Sequence, residues 1–339
     1  MDLLVLAELN PDVLVSSGDV EVRFGQVEQL VDNATITLGS SGAITACAAA
    51  AQGLDVAVCA VVGDDPIGEW TTDLLRGHGV DVSGVIRRPG LRTGLSVVLT
   101  RADGDRAILT YGGAMTELSA ADVPQARLRD ARHVHASSYF LQRGLQAGLP
   151  ELFAAARAAG ATTSLDTGWA PRGEWSSVGP VLHHLDYLLP NAAECAHLAA
   201  AFDPALDLVL DPVPDPAGSG ARDADGMPLL PAALVLHRLG PDVAVKLGAE
   251  GAIAVGREGG TRVHGRPVRP VDTTGAGDCF NAGFLAGILD GAAVPEALRR
   301  AVASGSLAVT GWGGTGRLAS RAEAVENGAQ LAMQQLPVA

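Results

Sequence analysis

Short apolar runs alternate with alanine-rich helical stretches along much of this 339-residue chain, and that alternation leaves few architectures open. Residues 3–9, 56–62, 133–137, 162–166, 187–189 and 243–247 read as strands. Helical stretches over about 42–52, 69–77, 145–159 and 192–201 lie between some of them. An apolar run with little polar alternation suits a strand buried on both faces, the habit of parallel sheets. Strand, helix, strand in succession then implies right-handed crossovers. Aliphatic and small residues are plentiful and aromatics make up only 4%, as alanine-rich helices packed on a buried sheet require. The expected class is α/β with a mainly parallel central sheet.

A second pattern interrupts the first. Residues 13–38 are mixed and partly alternating, and 93–100 alternate clearly. Asp103-Gly104-Asp105 then supplies turn chemistry before a return over 107–111. Strands within about 13–38 and 91–113 are therefore expected to form a small, half-exposed sheet, a lid over the main body. Residues 203–231 are rich in Pro, Asp and Gly and read as a flexible surface insertion. One domain spanning 1–339 is expected, without internal repeats.

Formal net charge is -14, which makes nucleic acid and anionic membrane poor partners. No basic segment followed by an apolar core opens the chain, and no apolar run is long enough to span a bilayer. The four cysteines, Cys47, Cys59, Cys195 and Cys279, lack metal spacing and read as reduced thiols of a cytoplasmic protein. His133/His135 and His183/His184 have no company of ligands and read as packing residues.

The chemistry concentrates in Asp272-Thr273-Thr274-Gly275-Ala276-Gly277-Asp278. Two glycines around an alanine let backbone amides turn to one point without obstruction. An apolar segment follows, with Phe280, Phe284 and Ile288 on one helical face. If a helix starts here, its unpaired first-turn amides and its dipole make an anion cradle. Asp278 at the rim of that cradle is suited to accept a proton from an attacking hydroxyl. A helix-capping acid is the plainer alternative.

This run resembles the C-terminal signature of the PfkB, or ribokinase-like, carbohydrate kinases, and the likeness extends over nearly the whole chain outside 203–231. The resemblance implies a three-layer α/β/α fold with a small β lid. It implies transfer of the ATP γ-phosphoryl group to a primary alcohol of a small carbohydrate. Asp278 becomes the base, and Gly275, Ala276 and Gly277 the anion hole. Asp272 and Thr274 enter a monovalent-cation site for K⁺, joined by the carbonyls of Ala308, Gly311 and Gly313. Asn191 and Glu194 fall in an Asn-x-x-Glu motif that orients Mg²⁺ on the nucleotide, although the same pair reads equally well as a capping box. Lys246 and Gly248 match a strand end that meets the nucleotide.

For the carbohydrate, the resemblance points to Asp12 with Gly39, Ser40 and Ser41, and Asp166 lies at the same sheet edge. Taken by itself, the 39–42 turn is better explained by a helix cap than by a sugar or phosphate site. The family's glycine-rich motif carries an Asn where this chain has Ile44, which argues against a ribose-type acceptor. Arg87, Arg88 and Arg92 leave room for an acceptor that already carries phosphate. Lid pairing in the family makes a homodimer an expectation by analogy. A nucleoside kinase on the same scaffold and a catalytically silent sugar- or nucleotide-binding regulator are the alternative readings. A dinucleotide-dependent oxidoreductase is disfavoured, because no Gly-x-Gly-x-x-Gly follows the first strand.

Overall fold

The computed structural model describes residues 1–17, 22–101, 106–206, 229–257 and 259–337. Its strands, in chain order, are β1 (Leu3–Leu6), β2 (Pro11–Ser16), β3 (Asn33–Leu38), β4 (Val56–Gly63), β5 (Asp81–Arg88), β6 (Leu95–Thr100) and β7 (Arg106–Tyr111). They continue with β8 (His133–Ala136), β9 (Thr162–Leu165), β10 (Tyr187–Leu188), β11 (Asp242–Lys246), β12 (Gly251–Gly256), β13 (Gly259–His264) and β14 (Met333–Leu336). The Asp103-Gly104-Asp105 turn, and residues 207–228 of the expected insertion, lie outside the described residues.

Ten strands form the main sheet in the order β14-β13-β12-β11-β10-β9-β8-β1-β4-β5. From β11 to β5 all neighbours are parallel, and β12, β13 and β14 are antiparallel additions at one edge. Alternation along β1 shows why helices must cover both faces. Leu4 and Leu6 join one apolar core with Phe140, Phe153 and Leu128. Leu3 and Val5 join another, with Phe280, Phe284 and Leu298. Every residue of β1 and β4 is buried, as the apolar runs required. The result is the expected three-layer, mainly parallel α/β/α arrangement.

The second sheet has the order β3-β2-β6-β7. Within it β6 alternates between buried and half-buried positions at its start, β3 is exposed or half-buried up to Leu38, and β7 is almost wholly exposed. It is the small sheet anticipated from 13–38 and 91–113, with one correction. The first strand stops at Leu6 rather than near Leu9, and the lid already begins at Pro11. Proline at the first position needs no ladder hydrogen bond there. Asp12 consequently lies within the lid, paired in register with Thr37 and Ser96, rather than at the tip of a main-sheet strand. Among the described residues no helix is long and apolar enough to cross a membrane.

Candidate active site

The signature run folds into the start of the Ala276–Leu289 helix. Gly275 precedes it with φ 76°, a left-handed conformation that suits glycine. A Cβ there would lie 2.6 Å from Gly314 Cα, so the position also needs glycine for space. The first helical bond runs from the Cys279 amide to the Gly275 carbonyl at 2.9 Å. The amides of Gly277 and Asp278 thus precede the first intrahelical bond, as a cradle for an anion requires.

Asp278 occupies the third position of this helix. Burial pushes its carboxyl up to about 8, and the charges of Asp166 and Glu8 add to the rise against the Ser41 hydrogen bond and Lys246. Ser41 Oγ donates to Asp278 Oδ1 at 2.5 Å. Thr45 Oγ1 donates to the Asp278 carbonyl at 3.3 Å. A carboxyl pushed up toward neutrality beside a row of amides has the chemistry to accept a proton from a hydroxyl placed at the cradle.

Asp272 ties two loops together. Its Oδ1 accepts from Thr274 N at 2.9 Å and Thr274 Oγ1 at 2.8 Å, and its Oδ2 accepts from Gly313 N at 2.9 Å. The Ala308 carbonyl accepts from the Gly311 amide at 3.1 Å within the same turn. Residues expected around a cation are therefore brought together, and their donors are all oxygens, the set that hard cations prefer.

The expected nucleotide residues converge behind the cradle. Asn191 and Glu194 form a reciprocal capping box, with Glu194 N donating to Asn191 Oδ1 at 2.9 Å and Asn191 N to Glu194 Oε2 at 2.8 Å. The structural alternative weighed for this pair is thus realised, and Glu194 remains buried with its carboxyl pushed up to about 7 by burial and then by Asp166. Gly248 sits just past β11 with φ 58°. Lys246 does not extend to solvent. Its Nζ donates to Asp166 Oδ2 at 2.6 Å and to Asn281 Oδ1 at 3.1 Å, next to Gly277. Burial opposes charge on Lys246, yet Asp166 and Glu194 hold its ammonium above the ordinary value. Asp166 likewise stays low, because Lys246 and Asn281 outweigh its burial. Asp166, expected to face the carbohydrate, is thus engaged with the lysine beside the cradle, and Asn281 Nδ2 also donates to its Oδ2 at 2.6 Å.

On the acceptor side, Gly39 permits close packing, since a Cβ there would lie 2.2 Å from Asp12 Oδ1. Burial, followed by the charge of Glu8, pushes Asp12 up to about 6. Ser40 caps the Ser41–Ala51 helix, accepting from Ala43 N at 3.1 Å. Ser41 points instead to Asp278, so the capping role falls to Ser40. Ile44 is buried and its side chain lies against Gly314, where a Cβ would fall 2.3 Å from Ile44 Cδ1. That position has become packing between the helix and the 311–316 loop. Of the three arginines considered for a phosphate pocket, Arg87 pairs with Asp64 at 2.9 Å and Arg88 with Asp122 at 2.7 Å.

Four polar residues escaped the sequence reading. Glu8 is 2% exposed and accepts from Ser41 N at 2.8 Å, Ser138 Oγ at 2.8 Å and Ser137 Oγ at 3.0 Å. A lone acid inside an apolar run was its signal. Asn10 is equally buried, donates to Asp12 Oδ1 at 3.1 Å, and keeps its own Oδ1 without a protein partner. Asn281 stands three residues after Asp278 in an otherwise apolar helix. Arg106, from lid strand β7, donates to Thr274 Oγ1 at 3.2 Å, and no local pattern could have announced that contact.

Residues 13–318 match the pfkB family of carbohydrate kinases. Among curated proteins, the chain is 32% identical over 299 residues to an ATP-dependent ribose-1-phosphate kinase of Halopiger xanaduensis, covering 85% of this chain and 88% of that protein. It is 31% identical over 288 residues to the 2-dehydro-3-deoxygluconokinase of Bacillus subtilis, covering 81% and 82%. Among solved structures, Arabidopsis thaliana ribokinase complexed with ribose and ATP superposes with a TM-score of 0.76 at 24% identity, over 96% of this chain and 98% of that one. That likeness shows the fold.

Proposed function

Since the chain belongs to the pfkB family of carbohydrate kinases, and so is a carbohydrate phosphotransferase, we propose that it moves the γ-phosphoryl group of ATP onto a primary hydroxyl of a small carbohydrate at the 275–278 cradle. The observation that carries this reading is the position of Asp278: a half-buried carboxyl beside first-turn amides, already hydrogen-bonded to an alcohol.

In this reading the acceptor lies between Asp12, the Gly39–Ser40–Ser41 turn and the lid. Asp12 accepts from sugar hydroxyls, and the unpartnered Oδ1 of Asn10 offers a second acceptor beside it. The reacting hydroxyl gives its proton to Asp278 as its oxygen meets the γ-phosphorus. Charge on the transferring group is met by the amides of the Gly275–Ala276–Gly277 turn and by the helix dipole. The Lys246 ammonium, braced by Asp166 and Asn281 next to Gly277, adds positive potential at the same place. Asn191, Glu194 and Gly248 face the nucleotide, and the oxygens of Asn191 and Glu194 suit Mg²⁺, which supplies charge neutralisation on the phosphates when bound. Asp272 and Thr274 with the carbonyls of Ala308, Gly311 and Gly313 would hold K⁺. The lid residue Arg106, bonded to Thr274, links closure over the carbohydrate to order in the signature.

One domain, 1–339, carries the whole site, and the acceptor's identity is the open variable. A coupled ADP-release assay over a panel of aldoses, ketoses, sugar acids, sugar phosphates and nucleosides tests the proposal. Turnover is expected with at least one carbohydrate. Turnover restricted to nucleosides would move the assignment to the nucleoside branch, and ATP binding without phosphoryl transfer to any acceptor would refute it.

A further inference from the structure

We propose that Ser41 is an internal phosphoryl acceptor: when no carbohydrate fills the site, the Ser41 hydroxyl takes the γ-phosphoryl group of ATP, with Asp278 as the base. The inference rests on the kinase reading above. A serine side chain ends in a primary alcohol, the same chemical class as the proposed substrate. Its Oγ already donates to Asp278 Oδ1 at 2.5 Å, the contact that a reacting hydroxyl must make with its base.

That hydroxyl is not needed for the local fold. The cap of the Ser41–Ala51 helix is Ser40, which accepts from Ala43 N and donates to the Glu8 carbonyl. The Ser41 backbone is nonetheless held firmly, because its amide donates to the buried Glu8 Oε1 at 2.8 Å. Thr45 Oγ1, one turn along, donates to the Asp278 carbonyl at 3.3 Å and fixes the two helices against each other. Such restraint is what makes an intramolecular attack efficient. Ser41 opens one helix and Asp278 lies in the first turn of another, so a phosphate on Ser41 meets the positive ends of two helices. Asp12 packs on the neighbouring Gly39, which places the carbohydrate and Ser41 in competition for one carboxylate.

In the step, a bond forms between Ser41 Oγ and the γ-phosphorus. The bond from that phosphorus to the β,γ-bridging oxygen breaks, ADP leaves, and the hydroxyl proton passes to Asp278. Phosphoserine then covers the base, so the enzyme silences itself when ATP is present without acceptor.

The test incubates the purified full chain with γ-labelled ATP and Mg²⁺ in the absence of acceptor, maps label by tandem mass spectrometry, and runs the acceptor panel in parallel. Label is expected on Ser41, at a rate per molecule independent of protein concentration. A carbohydrate turned over by the enzyme, at about ten times its Kd, lowers that rate about tenfold by occupying the site. Ser41→Ala removes the label, and Asp278→Asn slows labelling by about a hundredfold or more. Mapping on the unmutated chain keeps the result independent of how the variants fold. A preparation that phosphorylates a panel carbohydrate but leaves Ser41 unlabelled overturns the proposal and spares the kinase reading. Label on another residue, or a rate that grows with protein concentration, also overturns it. Neither label nor panel turnover overturns both.

Discussion

Replacing Asp278 by Asn should make this protein slower and more stable at once. The carboxyl is half-buried and largely desolvated, and its rise from 3.8 to about 8 means that the folded chain holds the proton where the unfolded chain has released it. Between those two values the native state binds more protons, so wild-type stability falls as pH rises through the window. The loss approaches about 6 kcal/mol above pH 8, and is about 4 kcal/mol at pH 7. An amide of the same shape carries no such burden, although it also changes the bond from Ser41. A net gain of a few kcal/mol is expected at pH 8, shrinking to nothing near pH 4. Urea titrations of both proteins across that range measure it. Turnover should drop by about 10²–10⁴, the usual contribution of a general base. In the wild type, kcat/KM should climb with pH until it levels off above about 8. If Asp278→Asn is less stable at every pH and turns over normally, the residue is an ordinary capping acid and the reasoning fails.

Two further outcomes follow from the packing. Gly275→Ala combines a left-handed φ of 76° with a Cβ only 2.6 Å from Gly314 Cα. It should cost about 1–3 kcal/mol in thermal or urea unfolding and abolish most activity by displacing the cradle; a neutral Gly275→Ala would show that the turn is not constrained. Lys246→Met leaves the buried Asp166 carboxylate without its 2.6 Å partner and should destabilise by about 3–5 kcal/mol. Lys246→Met combined with Asp166→Leu should recover part of that stability but not the activity, and equal stability of the single and double variants would contradict a buried pair.

Much of the fold was legible along the chain. Continuous apolar strands and small-residue helices can be read residue by residue, because a strand buried on both faces has almost no polar choice. The expected strands near 56–62, 133–137, 162–166, 187–189 and 243–247 each contain the core of one that forms. The glycine cradle was legible for a similar reason, as backbone geometry restricts which residues fit. Pairings across the sheet carry no such local mark. Nothing near Pro11 tells it to leave β1 and begin the lid, and nothing near Arg106 names Thr274.

The sequence alone therefore determined the layered α/β class, the lid, and the run 272–278 on which the proposed chemistry rests. Only the tertiary structure decided what each polar group does there. Asn191 and Glu194 cap one another, Lys246 turns inward to Asp166, and Glu8 holds the amide of Ser41. Local conformation depends on neighbours a few residues away and leaves a periodic trace. The charge state and partners of a buried side chain depend on groups brought from far along the chain. Ser41 and Asp278, 237 residues apart, meet only because two helix ends pack together at one edge of the sheet.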